Sequence, residues 1–139
     1  VWLAAYEPDE PFHAEAIAFL REARALAVEF LLPAMVIAEI AASSARRTRD
    51  ASDGLRAIER VQRTPGVHFF GLSQERAVSA GELASRCFLK GADSTYAALA
   101  LAEKADLVSL DRELRTRAAP EIATFTPAEW LARHVPTQP

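Results

Sequence analysis
The sequence predicts an α/β fold, a three-layer α/β/α sandwich built on a parallel sheet. Short apolar runs bounded by turn residues alternate with stretches of helical periodicity along the whole chain. No internal repeat or low-complexity linker interrupts that alternation. At 139 residues the chain fits one domain with a core of ordinary size. Alternating helices and strands pack best as a parallel sheet covered on both faces.

From Phe12 to Leu26, Phe12, Ala16, Phe19, Leu20, Ala23 and Leu26 recur at helical spacing with charged residues between them, which predicts an amphipathic helix behind Pro11. The run Phe30-Leu31-Leu32 reads as a strand that stops at Pro33, and a second helix runs from about Ala34 to Arg47. Leu55, Ile58 and Val61 mark a helix from Asp50 to Arg63, closed by Pro65-Gly66. Val67 to Phe70 is a strand, and Ser73 caps a helix ending near Cys87. Gly91-Ala92-Asp93-Ser94 opens an alanine-rich helix to Lys104, and Leu107 to Leu110 is a strand that stops at Asp111. A helix from Arg112 to Arg117, a strand from Ile122 to Phe125 and a helix from Pro127 to Arg133 follow.

Composition narrows the function. Half the residues are apolar and a quarter are charged, the proportions of a globular chain. The net charge of -3 argues against a broad basic surface for nucleic acid, so any such contact is local. The densest basic cluster is Arg46, Arg47 and Arg49; a solvated helix end is the preferred reading, ahead of RNA phosphate contacts by Arg46 and Arg47. The single cysteine, Cys87, allows no internal disulfide and matches no zinc or redox spacing. The longest apolar stretch, Phe30 to Ala38, contains Pro33 and is too short to span a bilayer, and the start has no secretory pattern. A cytoplasmic protein without a membrane partner is expected.

Three carboxylates could carry chemistry. Asp111 directly follows an apolar strand, where ligands gather in an open parallel sheet, although by itself it reads first as a helix N-cap. Asp93 precedes a helix at a glycine-containing turn and is equally ambiguous. Glu39 lies in the apolar stretch Val36 to Ala42, where burial would demand a compensating cation, but it also shares a helix face with Ser43 and Arg46 that could simply be solvated. A parallel sheet would bring the three acids to one rim, where hard oxygen ligands suit Mg²⁺ or Mn²⁺ and phosphodiester hydrolysis. His13, His68 and His134 lack ligand spacing, and no glycine-rich phosphate loop occurs.

The paired segments Leu89 to Ala100 and Ala105 to Leu114 resemble those of PIN-domain nucleases, and the likeness extends over almost the whole chain. Asp93, Ser109 and Asp111 match the family's acid opening a helix, its small hydroxyl residue and its acid after a strand. Leu32 to Ile40 matches the segment whose glutamate, here Glu39, helps hold the metal. The resemblance, closest to the toxins of VapBC-type toxin–antitoxin pairs, implies a Mg²⁺- or Mn²⁺-dependent endoribonuclease. It implies Glu39, Asp93 and Asp111 as metal ligands, Ser109 orienting the site, a homodimer, and a cognate antitoxin seated in an apolar groove. The groove is expected along the helices of Phe12 to Leu26 and Ala34 to Arg47.

The departure lies at the start. The family begins with a central strand carrying an aspartate just before a segment like Val1 to Tyr6, and that strand is missing here, so residues are expected upstream of Val1. Glu7, Asp9 and Glu10 lie in a proline-containing connection and are expected to form a solvated loop rather than replace the aspartate. Two other readings stand beside the nuclease: a catalytically silent PIN-like binding module, and a metal-dependent phosphohydrolase of small molecules.

Overall fold
The computed structural model describes residues 1–135. The elements run α1 (Trp2–Tyr6), α2 (His13–Ala25), β1 (Phe30–Pro33), α3 (Met35–Thr48), α4 (Ala51–Gln62) and β2 (Val67–Phe70). They continue through α5 (Gln74–Cys87), α6 (Gly91–Ala102), β3 (Leu107–Val108), α7 (Arg112–Ala118), β4 (Thr124–Phe125) and α8 (Pro127–His134). From α2 onward the predicted order holds, and the fold is a mixed α/β arrangement of parallel strands.

Local chemistry explains the boundaries. Asp50 caps α4 by accepting the Ser52 N–H, and Ser73 caps α5 by accepting that of Arg76. Thr126 and Glu129 form a reciprocal capping box at α8, with Pro127 in the first turn where its missing N–H costs nothing. The predicted strands at Leu107 to Leu110 and Ile122 to Phe125 are shorter in the structure, because Ser109 and Leu110 already turn toward α7 and only Thr124 and Phe125 pair with β3. The short helix α1 carries no periodicity long enough to be predicted; packing places it, with Trp2 and Ala4 buried.

The sheet is divided. β1 pairs in parallel with β2 in the register Phe30 opposite Val67, and β3 pairs in parallel with β4 in the register Leu107 opposite Thr124. Among the described residues β1 and β3 are not bonded to each other, so two two-stranded sheets replace the single one expected. Helix α6 packs against both inner strands and spans the division.

Each half has its own core. Trp2, Phe19, Phe30, Ile40, Val61 and Trp130 fill the first, and Leu83, Leu89, Leu107, Leu114 and Ile122 the second, with Tyr96 packed against both. Helices α3 and α4 approach closely because Gly54 faces α3 without a side chain; a Cβ there would lie 2.9 Å from the Ala41 carbonyl oxygen.

The connection after α1 corrects one expectation. Glu7 is buried, not solvated: it accepts a hydrogen bond from Ser44 Oγ at 3.4 Å and pairs with Arg47. A buried carboxylate needs such partners, and these pin α1 to α3. Asp9 and Glu10 are exposed as expected.

Candidate active site
Between the two half-sheets lies a cleft of about 850 Å³, and the three predicted acids all line it. Glu39 reaches it from the second turn of α3, Asp93 from the first turn of α6, and Asp111 from the loop after β3. Ser43 and Arg46 join Glu39 on the wall, the i, i+4, i+7 face of α3. Ser109 lines it too.

The acids differ in how they are held. Asp111 is the N-cap of α7, its Oδ1 accepting the Leu114 N–H at 3.0 Å, so the capping role is realised while the residue also faces the cleft. Ser109 Oγ accepts the Asp111 N–H at 3.1 Å, and Arg115 donates to the Ser109 carbonyl at 2.5 Å, which fixes the turn carrying the carboxylate. Asp93 caps nothing; it sits three residues inside α6, half-buried. Burial, and next the charge of Asp111, push its carboxyl above the usual range; Glu113 and Glu39 add to this and Lys90 opposes it. Asp93 therefore senses the charge of both other acids.

Tyr96, which the sequence analysis left without a role, completes the wall. Its hydroxyl donates to Glu39 Oε2 at 2.5 Å, and burial, followed by that bond, drives its phenol above the ordinary range. The spacing Asp93 to Tyr96, i and i+3 on one helix, was the available signal. Lys90 is a second residue that sequence reasoning passed over: it pairs with Glu113 at 3.0 Å beside Asp93.

The basic cluster divides. Arg46 is exposed at the cleft, whereas Arg47 is engaged by Glu7 and, at 3.7 Å, by Asp9. The histidines have separate partners: Glu29 for His68, the Ala4 carbonyl for His13 and the Trp130 carbonyl for His134.

The donor set fits a hard divalent cation in kind, being carboxylate oxygen with one acid raised first by burial and then by a neighbouring carboxylate. As placed, no three acidic, histidine or cysteine side chains among the described residues converge tightly enough to hold one. One oxygen of Glu39 is bonded to Tyr96 and one of Asp111 to the helix cap, leaving the other oxygen of each.

A parallel α/β chain with clustered acids at the strand ends defines a class, and the family comparison names it. The PIN domain model matches residues 1–120, and the chain belongs to the PIN-domain family, whose members are mostly metal-dependent nucleases. No curated protein gives a significant match. No helix among the described residues is long and apolar enough to cross a membrane.

Proposed function
We propose that this PIN-domain protein is a Mg²⁺- or Mn²⁺-dependent endoribonuclease, the toxin component of a VapBC-type pair acting in the cytoplasm. The observation that carries the reading is the placement of Glu39, Asp93 and Asp111, from three separate elements, on the lining of one cleft, where burial and then the charges of Asp111 and Glu39 disfavour ionisation of Asp93. A bound divalent ion would supply an activated water and stabilise the leaving oxygen of a phosphodiester. Asp93, free of capping duties, is the principal ligand in this reading; Asp111 and Glu39 contribute their unengaged oxygens. Ser109 holds the Asp111 turn in place, and Arg46 at the rim meets an RNA phosphate. Arg47, engaged by Glu7, serves the fold first.

An antitoxin and a homodimer partner remain part of the proposal. Leu3, Phe12, Ile17 and Leu26 are exposed on and beside α1 and α2, which supports an apolar docking face there, although none of the large apolar residues of α3 is exposed.

The engagement of Glu39 by Tyr96 and of Asp111 by its helix favours a second reading, a silent binding module. Asp93→Asn separates them. In the nuclease it should lower RNA cleavage by at least about 100-fold and remove most of the thermal stabilisation given by Mn²⁺. Asparagine keeps the size of the side chain, so the fold should survive. A wild-type protein that neither gains stability from Mn²⁺ nor cuts RNA identifies the silent module, and one that cleaves free nucleotides but not RNA identifies a small-molecule phosphohydrolase.

A further inference from the structure
Helices α5 and α6 pack as an antiparallel hairpin whose tip holds an aromatic side chain out to solvent. The start of α5 meets the end of α6, where Arg76 pairs with Glu103 at 3.9 Å, so the turn from Cys87 to Lys90 is the tip. Cys87 and Leu89 are buried in the second core there. Phe88, between them, is 77% exposed, the most exposed large apolar residue among those described. Its backbone is left-handed, with φ 54° and ψ 38°, at the end of a helix where glycine is the usual occupant and a bulky side chain costs stability. Phe88 therefore adds to neither core and opposes its own turn.

The tip is tied to both helices that carry acids of the cleft. Lys90 leads directly into α6, whose first turn holds Asp93. The Phe88 carbonyl accepts from Arg117 of α7, the helix capped by Asp111. Arg117 pairs with Glu113 at 2.9 Å and Lys90 with the same Glu113 at 3.0 Å, which closes the connection. Five residues lead from Phe88 to Asp93. That is about 18 Å at full extension, the span of a few nucleotides. Arg86, Lys90 and Arg117 supply cations around the tip, each in an exposed pair with Glu121 or Glu113 that a phosphate displaces at little cost.

We propose that Phe88 is the stacking surface for one unpaired base of the RNA bound at the cleft acids, an inference that rests on the nuclease reading. An exposed ring beside cations suits this role, because every base offers a π face to the ring while its phosphates take the cations. A protein partner fits less well. Protein contacts bury contiguous apolar patches. The other exposed apolar residues of the hairpin, Leu72, Val78 and Leu101, lie at its far end, about 15 Å or more from the tip along ten residues of helix.

The test measures binding in metal-free buffer, where no cleavage intervenes. The probe is a fluorescein-labelled uridylate strand of about twelve nucleotides, compared with a strand of equal length and charge that lacks its bases. Wild type should bind the uridylate strand at least about fivefold more tightly than Phe88→Leu does, and the two proteins should bind the baseless strand alike. Phe88→Trp should restore the affinity, and the salt dependence should be the same in all three because no phosphate contact is lost. Phe88→Gly should melt no lower than wild type, since glycine relieves the left-handed turn. Equal affinity of wild type and Phe88→Leu for the uridylate strand overturns the proposal, as does an equal loss on both strands or a wild-type chain that binds neither. A marked fall in melting temperature with Phe88→Gly gives the ring to the fold, and a changed oligomeric state in Phe88→Leu without a change in RNA affinity gives it to a second copy; both also overturn it. Adding Mn²⁺ separates this inference from the nuclease reading. Binding that depends on Phe88 without any cleavage keeps the stacking surface and removes the nuclease, whereas cleavage and binding untouched by Phe88→Leu keep the nuclease and remove the stacking surface.

Discussion
The first half-sheet is buried by aromatic rings, whereas the second is buried by leucine, isoleucine and alanine. Around β1, Trp2 meets Phe30 edge-on at 5.4 Å and Phe19 meets Trp130 at 5.4 Å, so large shapes set the geometry. Around β3, Ala97, Ala100 and Ala118 let helices close on the strand, and the aliphatic Leu83, Leu107, Leu114 and Ile122 fill what is left. The halves meet through side chains from both: Val108 and Phe125 of the second half-sheet pack against the first core. Tyr96 packs against both cores and bonds Glu39 across the seam, and Trp130 Nε1 donates to Asp106 Oδ2 at 2.9 Å. The candidate site takes Glu39 from one half and Asp93 and Asp111 from the other, so its geometry depends on that seam rather than on either core.

If the seam is strong enough to couple the halves, damage to one must be felt in the other. Leu83, almost wholly buried, anchors the second core, and Leu83→Ala should cost about 2–5 kcal/mol. Both tryptophans lie in the first core, so their fluorescence reports the half that the substitution does not touch. The expected outcome is one lowered midpoint shared by fluorescence and circular dichroism. Two midpoints would mean that the halves unfold separately and the cleft opens by hinging.

A smaller substitution sharpens the same point at the seam itself. Tyr96→Phe keeps the ring but removes the bond to Glu39, a loss of about 1–2 kcal/mol for a half-buried bond to a charged acceptor. It also frees a carboxylate oxygen at the cleft, so Mn²⁺ should raise the melting temperature more in this variant than in wild type. Thr126→Ala, which removes the α8 cap far along the chain, should cost about 1 kcal/mol and leave the Mn²⁺ response unchanged. An equal response in all three proteins would show that Tyr96 does not compete with the ion for Glu39.

Much of this arrangement could be read from the residues. Helical periodicity and the caps at Ser73 and Asp111 are local signals, and both caps sit where the structure has them. The acids could be singled out because their places relative to strand ends and helix starts are also local, and all three line one cleft. What could not be read depended on packing between distant segments. The burial of Glu7 against Ser44 and Arg47 joins residues about forty positions apart, and nothing around Glu7 distinguishes it from Asp9 and Glu10. The division of the sheet is likewise a pairing property: strand residues advertise burial, not which neighbour they pair with. Tyr96 lay in a segment already singled out, but an aromatic residue on an alanine-rich helix looks like core until its hydroxyl partner is known.

The weakest expected effect bears on the charge that Asp93 carries into the cleft. The Asp93 carboxyl is raised above its ordinary value, first by burial and then by Asp111. In the folded protein the protonated form is thus held more readily than in the unfolded chain, and the folded state binds the extra proton between the ordinary and the raised value. Stability must fall as pH rises through that window, and the full penalty is present above it. Asp93→Asn has no such titration. In metal-free buffer its melting temperature minus that of wild type should therefore be lowest at acid pH, increase through the window and stay level at neutral pH. A different force acts the other way: Asp93 lies in the first turn of α6, where a negative charge gains about 0.3–1 kcal/mol from the helix dipole. That gain would make the difference fall with pH instead. Melting curves of both proteins from pH 3 to pH 7 decide the sign. A falling difference would mean that Asp93 belongs electrostatically to its own helix, and the shared-charge account of the cleft would have to be given up.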